Sequence, residues 1–271
     1  IMATFLKDSP AGAVRVRSPS VEIDESTLIE ELVECFPEEC LENRSLVVFA
    51  AAFMLMYRNY DVVRAKDRCS NYLRWRKEIF GNLAYHTIED DETLAELIST
   101  CVMQTIIPPV GVKAPVLLYI QMKVHDSGKY TAIQVIKCMH FLIMAAIRRD
   151  LSIASEGFSI VSDLSNAEYK NFDIDIGRHV AMAVKDVLPL RIVQAVVYNA
   201  PIVFHYLVGI VTLFFPEKLQ KRIKSVTEGD GEVFEGSDMP VSMIPEALGG
   251  TYVVSTPENH LKYYQDLNCS A

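Results

Sequence analysis

No Cys-x-x-Cys pair occurs among the six cysteines, and none stands at zinc-site spacing from a histidine, so no thiol-exchange motif and no metal centre are expected. Cys35, Cys40, Cys69, Cys101, Cys138 and Cys269 are read as reduced thiols. GxGxxG, the phosphate-loop pattern GxxxxGK with Ser or Thr, GxSxG and HExxH are all missing, which removes the familiar nucleotide, nucleophile-elbow and zinc-protease readings and leaves no cofactor to expect. The first residues lack the long apolar segment of a signal peptide, so a cytoplasmic location is expected. Lys and Arg are absent from Glu22 to Glu42, where nine carboxylates equal the whole net charge of −9 and leave 26 acids against 26 bases elsewhere. That acidic balance argues against a nucleic-acid partner, while the even remainder allows a locally basic surface.

Hydrophobic residues make up 50% of the 271, enough to bury a large core. One run, Ile192 to Phe215, contains no Asp, Glu, Lys or Arg. As a single helix it would reach roughly 36 Å, enough to cross a membrane core of about 30 Å. Asn199-Ala200-Pro201 interrupts it, because proline disfavours helix in the residue before it and removes a backbone donor. The spacing therefore predicts a buried strand over Ile192–Tyr198 and an apolar helix over Ile202–Phe215 that is buried or covers something greasy.

Residues 1–20 are expected to form a mobile tail. Thr27 and Glu30 have capping-box spacing, and helices are predicted from there on, over Ser45–Asn59 with Ser45 able to cap it, Val62–Phe80 and Glu92–Met103, giving an all-helical lobe over 21–104. After Pro108-Pro109 the pattern alternates. Strands are predicted over Pro115–Ile120 and Gly157–Val161, and helices over Thr131–Ala146 and Arg178–Val187. The expected fold is therefore α/β, with a helical lobe followed by a lobe with a largely parallel sheet over 105–255 and a C-terminal tail over 256–271.

Chemistry-bearing residues are scattered. Cys138 and His140 point to different faces of their helix, Asp163 beside Ser162 follows a strand where Asp commonly starts a turn, and His205 stands alone on an apolar helix, so no catalytic residue is assigned. The segment from Pro216 to Lys224 is sharper. Lys218, Lys221 and Arg222 stand at i, i+3 and i+4, one face of a helix, directly after an apolar helix. Such a stripe suits an anionic membrane surface.

Several segments in order resemble the CRAL-TRIO family: Tyr60 to Lys66, Asn71 to Glu78 with its Tyr-x-x-Trp-Arg run, Pro115 to Tyr119, Gly157 to Leu164, Pro189-Leu190-Arg191, Asn199-Ala200-Pro201-Ile202-Val203-Phe204, Pro216 to Leu219 and Ile244 to Thr251. The resemblance spans Leu46 to Thr251 and is closest in character to the branch of alpha-tocopherol transfer protein and cellular retinaldehyde-binding protein. It implies a sheet flooring a lipid cavity closed by a mobile gate helix, which Ile202 to Phe215 matches. The pocket positions it implies are Leu118, Phe158, Ile160, Val180, Val184, Ile202, Val203, Phe204, Val208, Val211 and Phe214. Arg191, Lys218 and Arg222 match positions that bind phosphoinositide headgroups in that branch, and Lys221 joins them on the stripe, while Val193 replaces a fourth base. Leu219 stands where phosphatidylinositol transfer proteins hold a threonine, and of the usual Phe-Leu-Arg-Ala-Arg-Lys-Phe segment only Leu55 and Arg58 remain within Met54 to Tyr60. The resemblance implies a non-enzymatic carrier of a retinoid, tocopherol or similar isoprenoid that exchanges its ligand at phosphoinositide membranes. The alternatives are a phospholipid transfer protein and a cargo-free module that binds a small GTPase or a membrane.

Overall fold

A computed structural model of the chain describes residues 25–36, 44–82, 87–109, 111–188, 190–228, 233–234 and 239–269. The expected tail over 1–20 lies outside the described residues, as do five of the nine acids of the acidic segment, Glu22, Asp24, Glu38, Glu39 and Glu42. The helical lobe comprises α1 (Glu25–Glu34), α2 (Arg44–Tyr57), α3 (Val62–Phe80) and α4 (Glu92–Ser99). Helix α2 is apolar nearly all round and buries eight residues from Leu46 to Leu55. Asp61 starts α3 by accepting the Arg64 backbone N–H at 3.1 Å, and Gly81 ends it at φ 77°, a left-handed value that suits a residue without Cβ. Two expected caps fall inside helices instead, since α1 begins before Thr27 and α2 before Ser45.

Helix α4 stops at Ser99 and not at Met103, because the next residues belong to the sheet. Strand β1 (Met103–Ile106) pairs antiparallel with β2 (Val116–Gln121) and carries Gln104 into a buried clasp, its Oε1 accepting the Ser255 backbone N–H at 3.0 Å. Then follow α5 (Ala132–Arg149), the short α6 (Ile153–Glu156), β3 (Phe158–Asp163), α7 (Ile174–Asp186), β4 (Ile192–Tyr198), α8 (Ile202–Thr212), the short α9 (Glu217–Gln220), β5 (Ile223–Val226) and α10 (Pro257–Cys269). Thr131 and Gln134 form the capping box their spacing predicts at the start of α5.

The five strands lie in the order β1-β2-β3-β4-β5, and all pairs after the first are parallel. Strands taken in sequence with right-handed crossovers must place every crossover helix on one face. Accordingly Val116, Leu118, Phe158 and Ile192 pack beneath helices in a core that runs without a break into α1, α2 and α3. The opposite face, with Leu117, Tyr119, Val161 and Val196, is covered by later chain including Phe234, Met243, Ile244 and Leu248.

The apolar run from Ile192 divides as expected at Asn199-Ala200-Pro201, Asn199 having φ 50°, into β4 and α8, although α8 ends at Thr212 and not at Phe215; among the described residues no helix is long and apolar enough to cross a membrane. Residues 256–271, expected as a tail, hold α10, whose Tyr264 is buried and shares a hydrogen bond with Thr105 while His260 Nδ1 donates to the Ile98 carbonyl at 2.8 Å. His260, Leu261, Tyr264 and Leu267 recur at three to four residues, the spacing of a docked helix face.

Candidate functional site: an apolar slot beside a basic cleft

Helix α8, expected to be buried or to cover something greasy, buries one of its eleven residues, Phe204. Its ring lies 5.8 Å from that of Phe172 in a socket with Leu164 and Ala167. A second anchor is Val211, which approaches α7 at Gly177 so closely that a Cβ there would fall 2.6 Å from Val211 Cγ1. The outer face of the helix is open to solvent: Ile202 is 83% exposed, Tyr206 79% and the following Leu213 72%. Contiguous apolar exposure of this kind marks an interaction surface.

Under α7 and α8, the inner strands β3 and β4 present Ile160, Ser162, Ala195 and Val197, all half-buried although they lie mid-sheet. A fully packed roof would bury them. Half-burial leaves a slot between floor and helices, with Val180, Val208 and Val211 half-buried along it. Of the sequence-predicted pocket residues, Ile160, Val180, Val208 and Val211 thus border this space, and Phe204 sits in its socket. Leu118 and Phe158 are sealed in the main core, and Val184 opens instead onto the cleft described next. Ile202, Val203 and Phe214 face outward: the first two are turned away by the helical rotation that points Phe204 in, and Phe214 lies past the last turn of α8.

At the junction of the helical lobe and the sheet a cleft of about 410 Å³ is lined by residues from α2, α6, α7, the start of β4 and α9. Five of them are cations, Arg58, Lys185, Arg191, Lys218 and Arg222, and among the described residues no carboxylate lines the cleft. Backbone contacts hold two guanidinium groups in place, Arg191 donating to the Ser155 carbonyl at 2.9 Å and Arg222 to that of Ile192. Each retains further N–H groups for an acceptor. Arg58 lies over the Tyr57 ring at 4.9 Å, and its enclosed Nε has no hydrogen-bond partner among the described residues. A set of like charges without counter-ions among the described residues is a site for an anion with several oxygens.

Arg191, Lys218 and Arg222, predicted from sequence, therefore meet in one cleft. Lys221 does not join them. The expected helix over Pro216 to Lys224 breaks after α9, β5 begins at Ile223, and Lys221 Nζ turns back to Glu217 at 2.9 Å. Arg58 and Lys185 were not predicted; the retained Arg58 in an otherwise altered segment was a usable signal, whereas Lys185 carried none.

The catalytic-looking pieces have structural settings. His140 Nε2 shares a 3.0 Å hydrogen bond with the Tyr72 hydroxyl among Trp75 and Phe80, and burial pushes the Cys138 thiol up to about 12. Asp163 Oδ1 accepts the Ser165 backbone N–H at 2.9 Å, the turn expected of it, and Oδ2 accepts the Tyr119 hydroxyl at 2.7 Å. Among the described residues no three His, Cys, Asp or Glu side chains gather as metal ligands.

Comparison with known proteins adds a frame to this geometry. The family model of the CRAL/TRIO domain matches residues 105–250. Human tyrosine-protein phosphatase non-receptor type 9 is 24% identical over 220 residues, and its mouse counterpart 25% identical over 221. Both alignments take in 80% of this chain and 35% of the relative, so the chain spans about a third of the length of these proteins. Among solved structures, that of Sfh5 aligns with 95% of this chain and 100% of its own at 11% identity and a TM-score of 0.43.

Proposed function

Because the chain belongs to the CRAL/TRIO domain family, whose members bind hydrophobic lipids, we propose that it holds one lipid in the slot beneath α8 and exchanges it at membranes whose phosphorylated headgroups enter the basic cleft. The observation that carries this reading is the cleft itself, with five cations and, among the described residues, no carboxylate, beside a helix whose apolar side chains face solvent. Apolar burial at about 25 cal/mol per Å² supplies the affinity for cargo, and each cation near an anionic bilayer adds about 1 kcal/mol of attraction. The protein acts as a carrier and not as an enzyme, cytoplasmic and transiently membrane-bound. We assign it no phosphatase chemistry despite the name of its relatives.

For cargo, the floor of the slot favours a neutral isoprenoid of retinoid or tocopherol type, since Ile160, Ala195 and Val197 offer no cation to a phosphate. A phosphatidylinositol-type cargo is the second reading, favoured by the five cations of the cleft. A cargo-free module is the third. Native mass spectrometry of the purified protein, followed by extraction of what is bound, separates them: a neutral lipid at unit stoichiometry supports the first, a phospholipid the second, and an empty protein that takes up nothing from a membrane extract removes the carrier reading. The docking half is tested by Lys218→Glu combined with Arg222→Glu. This double reversal is expected to lower transfer to phosphoinositide vesicles about tenfold or more while ligand binding is retained; unchanged transfer at physiological salt removes the docking role.

A further inference from the structure

Strand register on the helix-covered face aligns Leu118, Ile160 and Ala195 in one row and Ile120, Ser162 and Val197 in the next. Ser162 is the one polar side chain that β2, β3 and β4 place in these two rows; at the sheet edges Thr105 on β1 lies opposite Leu118, and Ser225 on β5, opposite Val197, is exposed. Ser162 is half-buried, and among the described residues its hydroxyl meets no hydrogen-bond partner. Its row lies toward the C-terminal ends of the strands, and its neighbour Val197 packs with the cluster around Phe204. The hydroxyl therefore opens into the slot beneath the first turns of α8.

A hydrocarbon lying over this row would strip water from the serine and return nothing, whereas a ligand oxygen at the same place replaces the lost water. We infer that Ser162 orients and selects the cargo, taking a lipid whose apolar body bears a hydroxyl or carbonyl group and seating that polar end under the start of α8. Thr105, the polar residue of the same face on β1, is already engaged with Tyr264, so it does not compete for the ligand. The inference rests on the carrier reading and adds to it which end of the molecule enters and why a plain hydrocarbon is refused.

The test uses the whole chain and two fluorescent probes, all-trans-retinol and the same polyene without its hydroxyl. The wild-type protein is expected to prefer the alcohol about fivefold, the size of one neutral hydrogen bond. Ser162→Ala is expected to abolish the preference, weakening alcohol binding and strengthening that of the plain polyene, and Ser162→Thr, which restores a hydroxyl, to keep it. Equal binding of both probes by the wild type, or a preference that survives in Ser162→Ala, overturns the role of Ser162 while leaving the carrier reading standing. Failure of the wild type to take up either probe overturns the isoprenoid carrier reading and the inference with it.

Discussion

Tyr57 stands between two guanidinium groups, Arg58 at 4.9 Å and Arg68 at 5.5 Å from its ring centre, and the two have different duties. Arg68 is buried and donates to the carbonyls of Val184 at 2.9 Å and Leu188 at 2.8 Å, closing the C-terminal end of α7 where carbonyls lack helical partners. Arg58 lines the cleft beside Lys185 and Lys218. Arg58→Glu is therefore expected to weaken sedimentation with phosphoinositide vesicles at least as much as Lys218→Glu, about tenfold, and Lys221→Glu to cost clearly less. Equal losses in Arg58→Glu and Lys221→Glu would show that overall charge, and not the cleft, attracts the membrane. The cleft was legible in sequence where its cations flank the apolar run, as with Arg191, Lys218 and Arg222. It was not legible where it depends on tertiary approach, since Arg58 and Lys185 come from helices far apart in the chain. Lys221 was misread because a helical period was extended across residues that become β5.

Helix α8 is held by few contacts, and the narrowest is at Gly177. Gly177→Ala raises the intrinsic helix preference of α7 by up to about 1 kcal/mol, so any loosening must come from the new methyl group meeting Val211. The helix is expected to stand further from the floor, and transfer of a fluorescent lipid between vesicles to quicken several-fold. Shortening the other partner, in Gly177→Ala with Val211→Ala, returns the space and is expected to restore the wild-type rate; a rate unmoved by the single change would mean that α7 does not restrain α8. Most elements were legible because caps and breakers mark them: α3, β4 and the start of α5 fall where Asp61, Asn199-Ala200-Pro201 and Thr131 put them. The exposure of α8 was legible only as one of two alternatives, since an apolar stretch reads the same whether it faces a core or a lipid. Strand β1 was missed because Met103-Gln104-Thr105-Ile106 is short and lies between an expected helix and Pro108-Pro109, and only pairing with β2 decides its state.

Across the whole molecule, the C-terminal helix ties the two ends of the fold together, and the tie depends on a buried histidine. His260 on α10 is 4% exposed, donates through Nδ1 to Ile98 at the end of α4, and packs edge-on to Tyr264. Burial lowers its pKa, partly opposed by that backbone hydrogen bond, and burial likewise lowers that of His125 against the opposing charges of Asp173 and Asp126. A histidine whose pKa is depressed in the folded state is neutral there while the unfolded chain takes up a proton. The stability it confers is therefore complete above the unfolded value near 6.5 and falls as pH drops below it. Each such histidine costs about 1.4 kcal/mol per pH unit for as long as it stays neutral in the fold. Thermal unfolding is expected to show a midpoint that is flat from pH 8 to 7 and falls from pH 6.5 to 5, before carboxylate protonation dominates. His260→Asn keeps an N–H close to the Nδ1 position without a titrating ring, so it is expected to flatten that slope by about one histidine's share while lowering stability at pH 7.5. A slope identical to wild type would place the titration elsewhere and leave the docking of α10 independent of pH.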